Sequence, residues 1–498
     1  MFTVSPGTIK YADELAVNKY GIADLTLMKN AAKSCFNYIY PRLSHDDRII
    51  VICGKGNNGG DGYEIARILH REWFNVSVIN AFDCEPNTET ARAVFEECKK
   101  DGVRIFGLSE YKSELSKASV IIDALFGVGF YGKIDEESGI GRMISLCNSS
   151  NALKIAIDTP SGINSSDGSC GGLAFMADFT ITMAFIKTGM LSYPAREYCG
   201  DILISDIGYP DELCEKIEKD ALIADDEYIK SVLPKRKQNT HKGSYGRLLM
   251  YCGSPTMTGA AILAAKAALR SGAGLVNIAR DEETVKILQT QLVEPVFSVI
   301  SDNALSEVSE LSKKATAILI GCGMGKAECD RNVLFSLIQN AECNLIIDAD
   351  GINLLSENIL ILKEAKKVPI LTPHPLEFAR LCGKTVDEVQ KNRLCLAKEF
   401  AKEYGCILVL KGAGTVIASP DGQIAINTSG NPGLSKGGSG DVLAGLISSF
   451  TSQGIAPFES AVAAVYLHGK AADVLKEEIS EYGLLPSDLP QALAKLLP

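Results

Sequence analysis

Short apolar runs recur along this chain, each followed by small, polar or acidic residues and then by an amphipathic stretch. Arg48–Cys53 (RIIVIC), Val76–Asn80, Val120–Ala124 (VIIDA), Lys154–Ile157 and Phe179–Met183 are too short for buried helices and lack the alternation of a one-sided sheet. They predict strands buried on both faces, hence a parallel sheet covered by helices on each side. Ile9–Asn18, Leu25–Tyr38 and Asp61–Glu72 read as helices, the last with Ile65, Ile68 and Leu69 on one face. A charged stretch from 211 to 240, with the run Lys235-Arg236-Lys237, breaks the pattern and reads as a connection plus the first helix of a new domain, its basic run solvated. Beyond it the alternation resumes. Arg247–Cys252, Ala317–Ile320, Leu345–Ile347, Ile370–Leu371, Ile407–Leu410 and Thr415–Ile417 read as strands, and Gly259–Ser271 as a helix. The expectation is two α/β domains, 1–221 and 222–498, which suits a chain of 498 residues.

Composition excludes several classes of function. A net charge of −11 and a pI near 5.2 oppose a nucleic-acid footprint, which needs a basic face. No apolar run approaches the ~20 residues that cross a bilayer, and the N-terminus lacks a basic-then-apolar leader pattern. A cytoplasmic location is expected, with no nucleic-acid or membrane partner. The 15 cysteines are odd in number and form no CxxC pair. They read as buried, reduced thiols, without zinc-ligand spacing.

The chemistry-bearing residues stand where strands end. Gly54-Lys-Gly-Asn57-Asn58-Gly59-Gly60-Asp61-Gly62 follows one strand and opens a helix, the setting in which glycines admit a pyrophosphate to a helix N-terminus. A nicotinamide dehydrogenase would close its second strand on an acid that holds a ribose; Asn80 stands there instead. Asp123-Ala-Leu-Phe-Gly127-Val128-Gly129 and Asp158-Thr-Pro-Ser161-Gly162 follow two further strands. Their carboxylates, hydroxyl and Asn58 amide form an oxygen-rich set suited to a hard cation. Lys187, in Phe185-Ile-Lys187-Thr-Gly189, follows another strand and is either a surface lysine or part of this set.

GNNGGDG, DALFGVG, DTPSG and a strand followed by KxG, in this order over roughly residues 1–210, resemble the NAD(P)H-hydrate epimerase family. The resemblance implies a Rossmann-like three-layer domain in which Asn58, Asp123 and Ser161 hold potassium. Asn57, Asn58, Gly59, Gly60, Asp61, Gly127, Val128 and Gly129 would contact a hydrated dinucleotide, and Asp158 and Lys187 would be catalytic. The family reaction interconverts R and S hydrates at C6 of the reduced nicotinamide through an iminium, and Asp158 would stabilise the developing positive charge. The early helix departs from the family's usual LMENAG, reading Leu27-Met-Lys29-Asn-Ala31-Ala32.

The second half carries Gly430-Asn-Pro-Gly433-Leu-Ser-Lys436-Gly437-Gly438-Ser439-Gly440-Asp441 ahead of an apolar helix. Successive N–H groups at such a helix start form an anion nest. A carboxylate beside that nest can take a proton from an attacking hydroxyl. Lys411-Gly412-Ala413-Gly414-Thr415 and Gly321-Cys-Gly323-Met-Gly325 follow strands, and His374 lies between two prolines at a third strand end. GGSGD resembles the ribokinase-like superfamily. HKGSYG, TGAA, DADGIN, LTPHPLEFARL, LKGAGT and GNPGLSKGGSGD, over roughly 222–498, resemble its ADP- or ATP-dependent NAD(P)H-hydrate dehydratases. That implies Lys411 to Thr415 and Gly440 facing the nucleotide, Ala260, Gly323 and His374 facing the hydrate, Asp441 as catalytic base, and magnesium on the phosphates. One departure is Cys322-Gly323-Met324, where Pro-Gly-Leu is usual.

Together these readings imply a cytoplasmic, homo-oligomeric enzyme that repairs hydrated NAD(P)H. The fused arrangement suggests ADP as co-substrate, with ATP open. The competing readings are a small-molecule hydroxyl kinase with a non-catalytic N-terminal domain and a non-enzymatic nucleotide-binding scaffold, the latter opposed by the carboxylates Asp158 and Asp441, which binding alone does not need.

Overall fold

The computed structural model describes residues 1–497. They divide into two compact units, Phe2–Ala221 and, with Met1, Leu222 onward.

The first unit is built on seven strands in the spatial order Arg104–Phe106, Asn75–Asn80, Arg48–Cys53, Val120–Ala124, Leu153–Ile157, Phe179–Met183, Asp201–Ser205, all neighbours parallel. Numbered along the chain this is 3-2-1-4-5-6-7, so the winding direction reverses between Arg48–Cys53 and Val120–Ala124. Ligands bind outside such a reversal. The three layers follow from the strand period. Ile49 and Val51 point to one face, against Cys35, Tyr63 and Phe95, while Ile50 and Ile52 point to the other, against Tyr111, Met143 and Ile144. A small parallel pair, Phe2–Val4 with Ile186–Lys187, sets Val4 opposite Lys187.

The second unit orders its strands Val296–Val299, Leu275–Arg280, Arg247–Tyr251, Ala317–Ile320, Asn344–Ile347, Ile370–Leu371, Ile407–Leu410, Val416–Ala418, Ile424–Ile426. The pairs are parallel as far as Ile407–Leu410 and antiparallel at the last two joins. The alanine-rich helix Thr258–Arg270 lies tightly on the helix Ser439–Ser452. A Cβ on Gly445 would stand 2.1 Å from the Ala264 carbonyl oxygen, so only glycine permits this approach.

Several sequence expectations need correction. The helix expected over Asp61–Glu72 runs Asn57–Arg71, so the glycine motif forms its first turn. The reason is packing: a Cβ at Gly59 would sit 2.0 Å from the Gly54 oxygen, and one at Gly54 1.9 Å from the Leu125 oxygen. The strand expected at Thr415–Ile417 is Val416–Ala418. All cysteines are free, yet Cys84, Cys329 and Cys395 are exposed rather than buried. Residues 235–237 are exposed as expected, with Arg236 donating to the Gly272 carbonyl at 2.6 Å and lying over the Tyr245 ring. Lys29 forms an ion pair with both carboxylate oxygens of Glu97, at 2.9 and 3.0 Å, so the reversed charge has a partner. Ala32 is fully buried.

Candidate active sites

In the first unit the strand-end motifs converge on a cavity of about 620 Å³ lined by Asn57, Asn58, Asp61, Gly127, Val128, Gly129 and Asp158, among others. Asp158 stands just beyond Leu153–Ile157 with φ +66°, a conformation non-glycine residues adopt at a cost. Three contacts hold it there. One carboxylate oxygen accepts from the Val128 N–H at 2.9 Å, and the other from the Lys187 ammonium at 2.5 Å and the Met183 N–H at 3.5 Å. Lys187 is fully buried and spends its remaining protons on Thr182 Oγ1 at 2.9 Å and the Met183 carbonyl at 3.0 Å. A buried ammonium with three acceptors is an anchor for Asp158, not a surface lysine. A Cβ at Gly127 would lie 2.9 Å from the Asp158 carboxylate, so glycine leaves that oxygen approachable.

Asp123 is buried, and its oxygens accept from the Ser161 N–H and hydroxyl, both at 2.8 Å, and from the Leu125 N–H at 3.1 Å. Burial pushes its carboxyl up to about 6, against these hydrogen bonds. Ser161 Oγ also accepts from the Phe126 N–H at 2.9 Å. Asn58 differs from both: its amide oxygen and nitrogen are buried with no hydrogen-bond partner, a costly arrangement unless a ligand completes it. Asn57 is exposed and accepts from Thr88 Oγ1 at 2.6 Å. Gly59 and Gly60 are buried in the helix's first turn, where a Cβ on Gly60 would collide with Met28. Burial, then the neighbouring Asp158 and Asp13, hold the Asp61 carboxyl well above the usual range. Asn80, standing where a dehydrogenase would carry an acid, donates to the Cys84 carbonyl at 2.8 Å and shapes a turn.

In the second unit the helix Ser439–Ser452 starts at Gly438, whose φ of +106° requires glycine, and no side chain caps it. Asp441 lies in that uncapped first turn, beside N–H donors that a phosphate could use. Its carboxyl is pushed up to about 6 by burial and by Asp348, against the Cys322 thiol and Lys411. The Cys322 sulfur and the Asp348 and Asp441 carboxylates lie within 4.8 Å of one another. Lys411 donates to Asp348 at 2.8 Å, and a Cβ on Gly440 would be 3.2 Å from its ammonium. Burial opposes the Lys411 charge, but Asp348 and Glu377 outweigh it and raise the group. Gly412 and Ala413 form an exposed turn, closed by the Thr415 hydroxyl donating to the Gly412 carbonyl at 2.8 Å. Ala260 is half-buried, and Gly323 is buried with φ +59°.

His374 has a local duty. Its Nδ1 accepts from the Leu376 and Glu377 N–H groups at 3.2 Å, capping the helix Pro375–Cys382, while Glu377 returns the bond to the His374 N–H at 2.8 Å. Burial and Lys411 lower its basicity. The half-exposed ring therefore stands neutral, with Nε2 3.3 Å from Glu377.

Three participants escaped the sequence reading. Asp348 ends the strand Asn344–Ile347 and binds Thr372 Oγ1 at 2.7 Å as well as Lys411; its strand-end position in Asp348-Ala-Asp was the available signal. Asp13 and Tyr209 line the first cavity from segments without a motif.

The sequence comparisons agree with this geometry. Residues 248–495 match the family model described as NAD(P)H-hydrate dehydratase, and residues 24–189 match the YjeF-related protein N-terminus. A bifunctional NAD(P)H-hydrate repair enzyme from Moorella thermoacetica is 34% identical over 100% of this chain and 97% of its own. The protein of that description from Escherichia coli is 33% identical over 99% and 94%. Among solved structures, a ribokinase-like superfamily protein from Enterococcus faecalis, 28% identical, covers 55% of this chain and 94% of its own with a TM-score of 0.50. Full-length similarity at this level, together with an epimerase-type first unit and a ribokinase-like second, places the chain in the family of bifunctional NAD(P)H-hydrate repair enzymes.

Proposed function

We propose that the first cavity interconverts the R and S hydrates of NADH or NADPH, and that the second site dehydrates the S form with ADP, yielding AMP and phosphate, with ATP as the alternative donor. The observation that carries this reading is Asp441. It is a carboxyl poised near 6 in the uncapped first turn of a helix, with Lys411 and Asp348 beside it. A base with this affinity is ionised at neutral pH and can still accept a proton in a transition state. Hydroxide leaves poorly. Asp441 takes the proton of the C6 hydroxyl as its oxygen attacks the nucleotide's terminal phosphorus, while N–H groups of the uncapped first turn, such as that of Gly440, steady the phosphoryl oxygens. Phosphate then leaves C6, pushed by the ring nitrogen, and the C5 proton is lost to restore the reduced ring. Lys411, Gly412, Ala413, Gly414, Thr415 and Gly440 would face the nucleotide, and Ala260, Gly323 and His374 the hydrate. Magnesium would ride on the phosphates and offset their charge. Asp348 is already engaged by Lys411 and Thr372, so no dedicated carboxylate cage is called for.

In the first cavity Asp158, fixed by Lys187, supports the positive charge that forms as the C6 hydroxyl departs. Asn57, Gly59, Gly60, Asp61, Gly127, Val128 and Gly129 would border the dinucleotide. The residues fit potassium, because the Asn58 amide is buried without a partner and Asp123 and Ser161 supply further oxygens. The ion would neutralise local negative charge and fix these side chains. Domain roles divide at 221/222. The enzyme would act on small molecules as a homo-oligomer in the cytoplasm, a reducing compartment that the free thiols suit; no helix among the described residues is long and apolar enough to cross a membrane. The test is to supply pure S hydrate with ADP or ATP. Recovery of reduced-nicotinamide absorbance with release of phosphate is expected. Accumulation of a phosphorylated product without recovery would overturn the reading.

A further inference from the structure

Epimerisation at C6 removes the hydroxyl from one face of the ring and returns water to the other, so proton-carrying groups are needed on two sides. Asp158 enters the cavity from a strand end, tied to Lys187. A different wall is formed by the helix Pro6–Asn18, whose buried residues are Thr8, Ile9, Ala12 and Ala16. Ile9 and Asp13 are four residues apart on this helix and both line the cavity. An acid has thus been placed at the inner edge of a face that otherwise carries no ionisable group. Its carboxylate accepts a short hydrogen bond from the Tyr209 hydroxyl, and Tyr209 lines the same cavity. The unpartnered, buried Asn58 amide in the same cavity marks it as a place completed by a ligand.

We propose that Asp13, oriented by Tyr209, is the second proton-carrying group of this cavity, serving the ring face turned away from Asp158. The inference rests on the epimerase reading. Burial pushes the Asp13 carboxyl above its ordinary range; Asp158 and Asp24 push the same way, while the Tyr209 hydrogen bond and Lys187 oppose them. Asp61, the other acid facing it, is raised still further by burial. A carboxyl so placed carries a proton more readily than an exposed aspartate does.

The step balances without a redox partner. Protonated Asp13 gives its hydrogen to the C6 hydroxyl. The C6–O bond breaks with its electron pair on oxygen, releasing water, and the ring-nitrogen lone pair forms the C=N bond of the iminium. Water adds to the opposite face of C6, the nitrogen recovers its lone pair, and the proton released passes to Asp158. The reverse reaction exchanges the two roles, and solvent restores the protonation of both carboxyls.

Two variants of the full chain test this, Asp13→Asn and Tyr209→Phe, assayed for R-to-S conversion across pH. Asp13→Asn should lower kcat for epimerisation by at least ~100-fold while KM changes little, the scale of a lost acid–base group. Tyr209→Phe should move the pH profile. Both variants should dehydrate pure S hydrate at the wild-type rate, which reports that the second unit is intact, while thermal unfolding reports the fold of the first unit. Asp13→Asn within roughly threefold of wild type in kcat, or Tyr209→Phe with an unchanged pH profile, would overturn the proposal. If the variant Asp13→Asn loses the fold of the first unit, Tyr209→Phe decides it alone. A wild-type chain without epimerase activity would overturn the reading of the cavity, and this inference with it.

Discussion

Replacing Asp441 by asparagine should separate what the residue does for chemistry from what it costs the fold. The side chain keeps its shape but loses its charge and its ability to accept a proton. Burial and Asp348 raise its carboxyl from 3.8 to about 6. At roughly 1.4 kcal/mol per pH unit this is an upper figure of about 3 kcal/mol. The sign follows from the folded value lying above the unfolded one: the stability contributed by the neutral carboxyl is fully present below 3.8 and is lost as pH rises through about 6. At pH near 8 the ionised wild-type side chain therefore burdens the fold, and Asp441→Asn should be more stable by up to about 3 kcal/mol, with the difference vanishing at strongly acid pH. Urea unfolding at a series of pH values, followed alongside dehydration of S hydrate, measures both. Dehydration should fall by roughly two to four orders of magnitude, the worth of a lost general base, with ADP binding retained. In the wild type, dehydration should rise with pH as Asp441 ionises through about 6. A variant no more stable than wild type at pH 8, or one that gains stability only in acid, would refute the idea that a buried charge is held at this helix start for catalysis.

Lys187→Met should remove epimerisation and destabilise the first unit by about 3–5 kcal/mol, because it leaves the Asp158 carboxylate without its buried counter-charge; thermal unfolding and R-to-S conversion report this. Asp158→Ala should slow epimerisation while leaving S dehydration intact, measured separately on the two pure epimers, and equal loss of both would mean that the sites do not act independently. Exchanging potassium for lithium should raise the epimerase KM, since Asn58, Asp123 and Ser161 would have to close on a much smaller ion. An unchanged KM would remove the cation from these residues.

The architecture was legible because two-sided burial leaves a strong mark. A run such as Arg48–Cys53 must be a central strand, and its Gly-rich or acidic successor then falls at the carboxyl edge of the sheet. Asp123 and Asp158 were found for that reason, and Asp441 because a run of small residues opens an apolar helix there. Strands such as Leu275–Arg280 and Val296–Val299 were missed because the former mixes Asn277 and Arg280 with its apolar residues and the latter is a partly exposed edge. The glycine motif was read as opening a helix that began at Asp61, although the helix starts at Asn57 and includes Gly59 and Gly60, because the contact of Gly60 with Met28 that forbids a Cβ comes from a residue distant in sequence. The same blindness hid Asp13 and Tyr209, whereas Asp348 had a strand-end position to mark it. What a side chain meets across a cavity, as Asp13 meets Tyr209 over 196 positions, leaves no local pattern. His374 was placed at the right strand end, but its capping role depends on Glu377 turning back to it, which becomes evident only in three dimensions.

The most direct test of the whole account is a stoichiometric one: a mixture of R and S hydrates is given to the intact chain with ADP, and absorbance and free phosphate are followed to completion. If one site feeds the other, the absorbance of the reduced nicotinamide returns for the entire pool and one phosphate appears per hydrate consumed. Recovery that halts once the S fraction is exhausted, or phosphate that stays bound to the product, would contradict it.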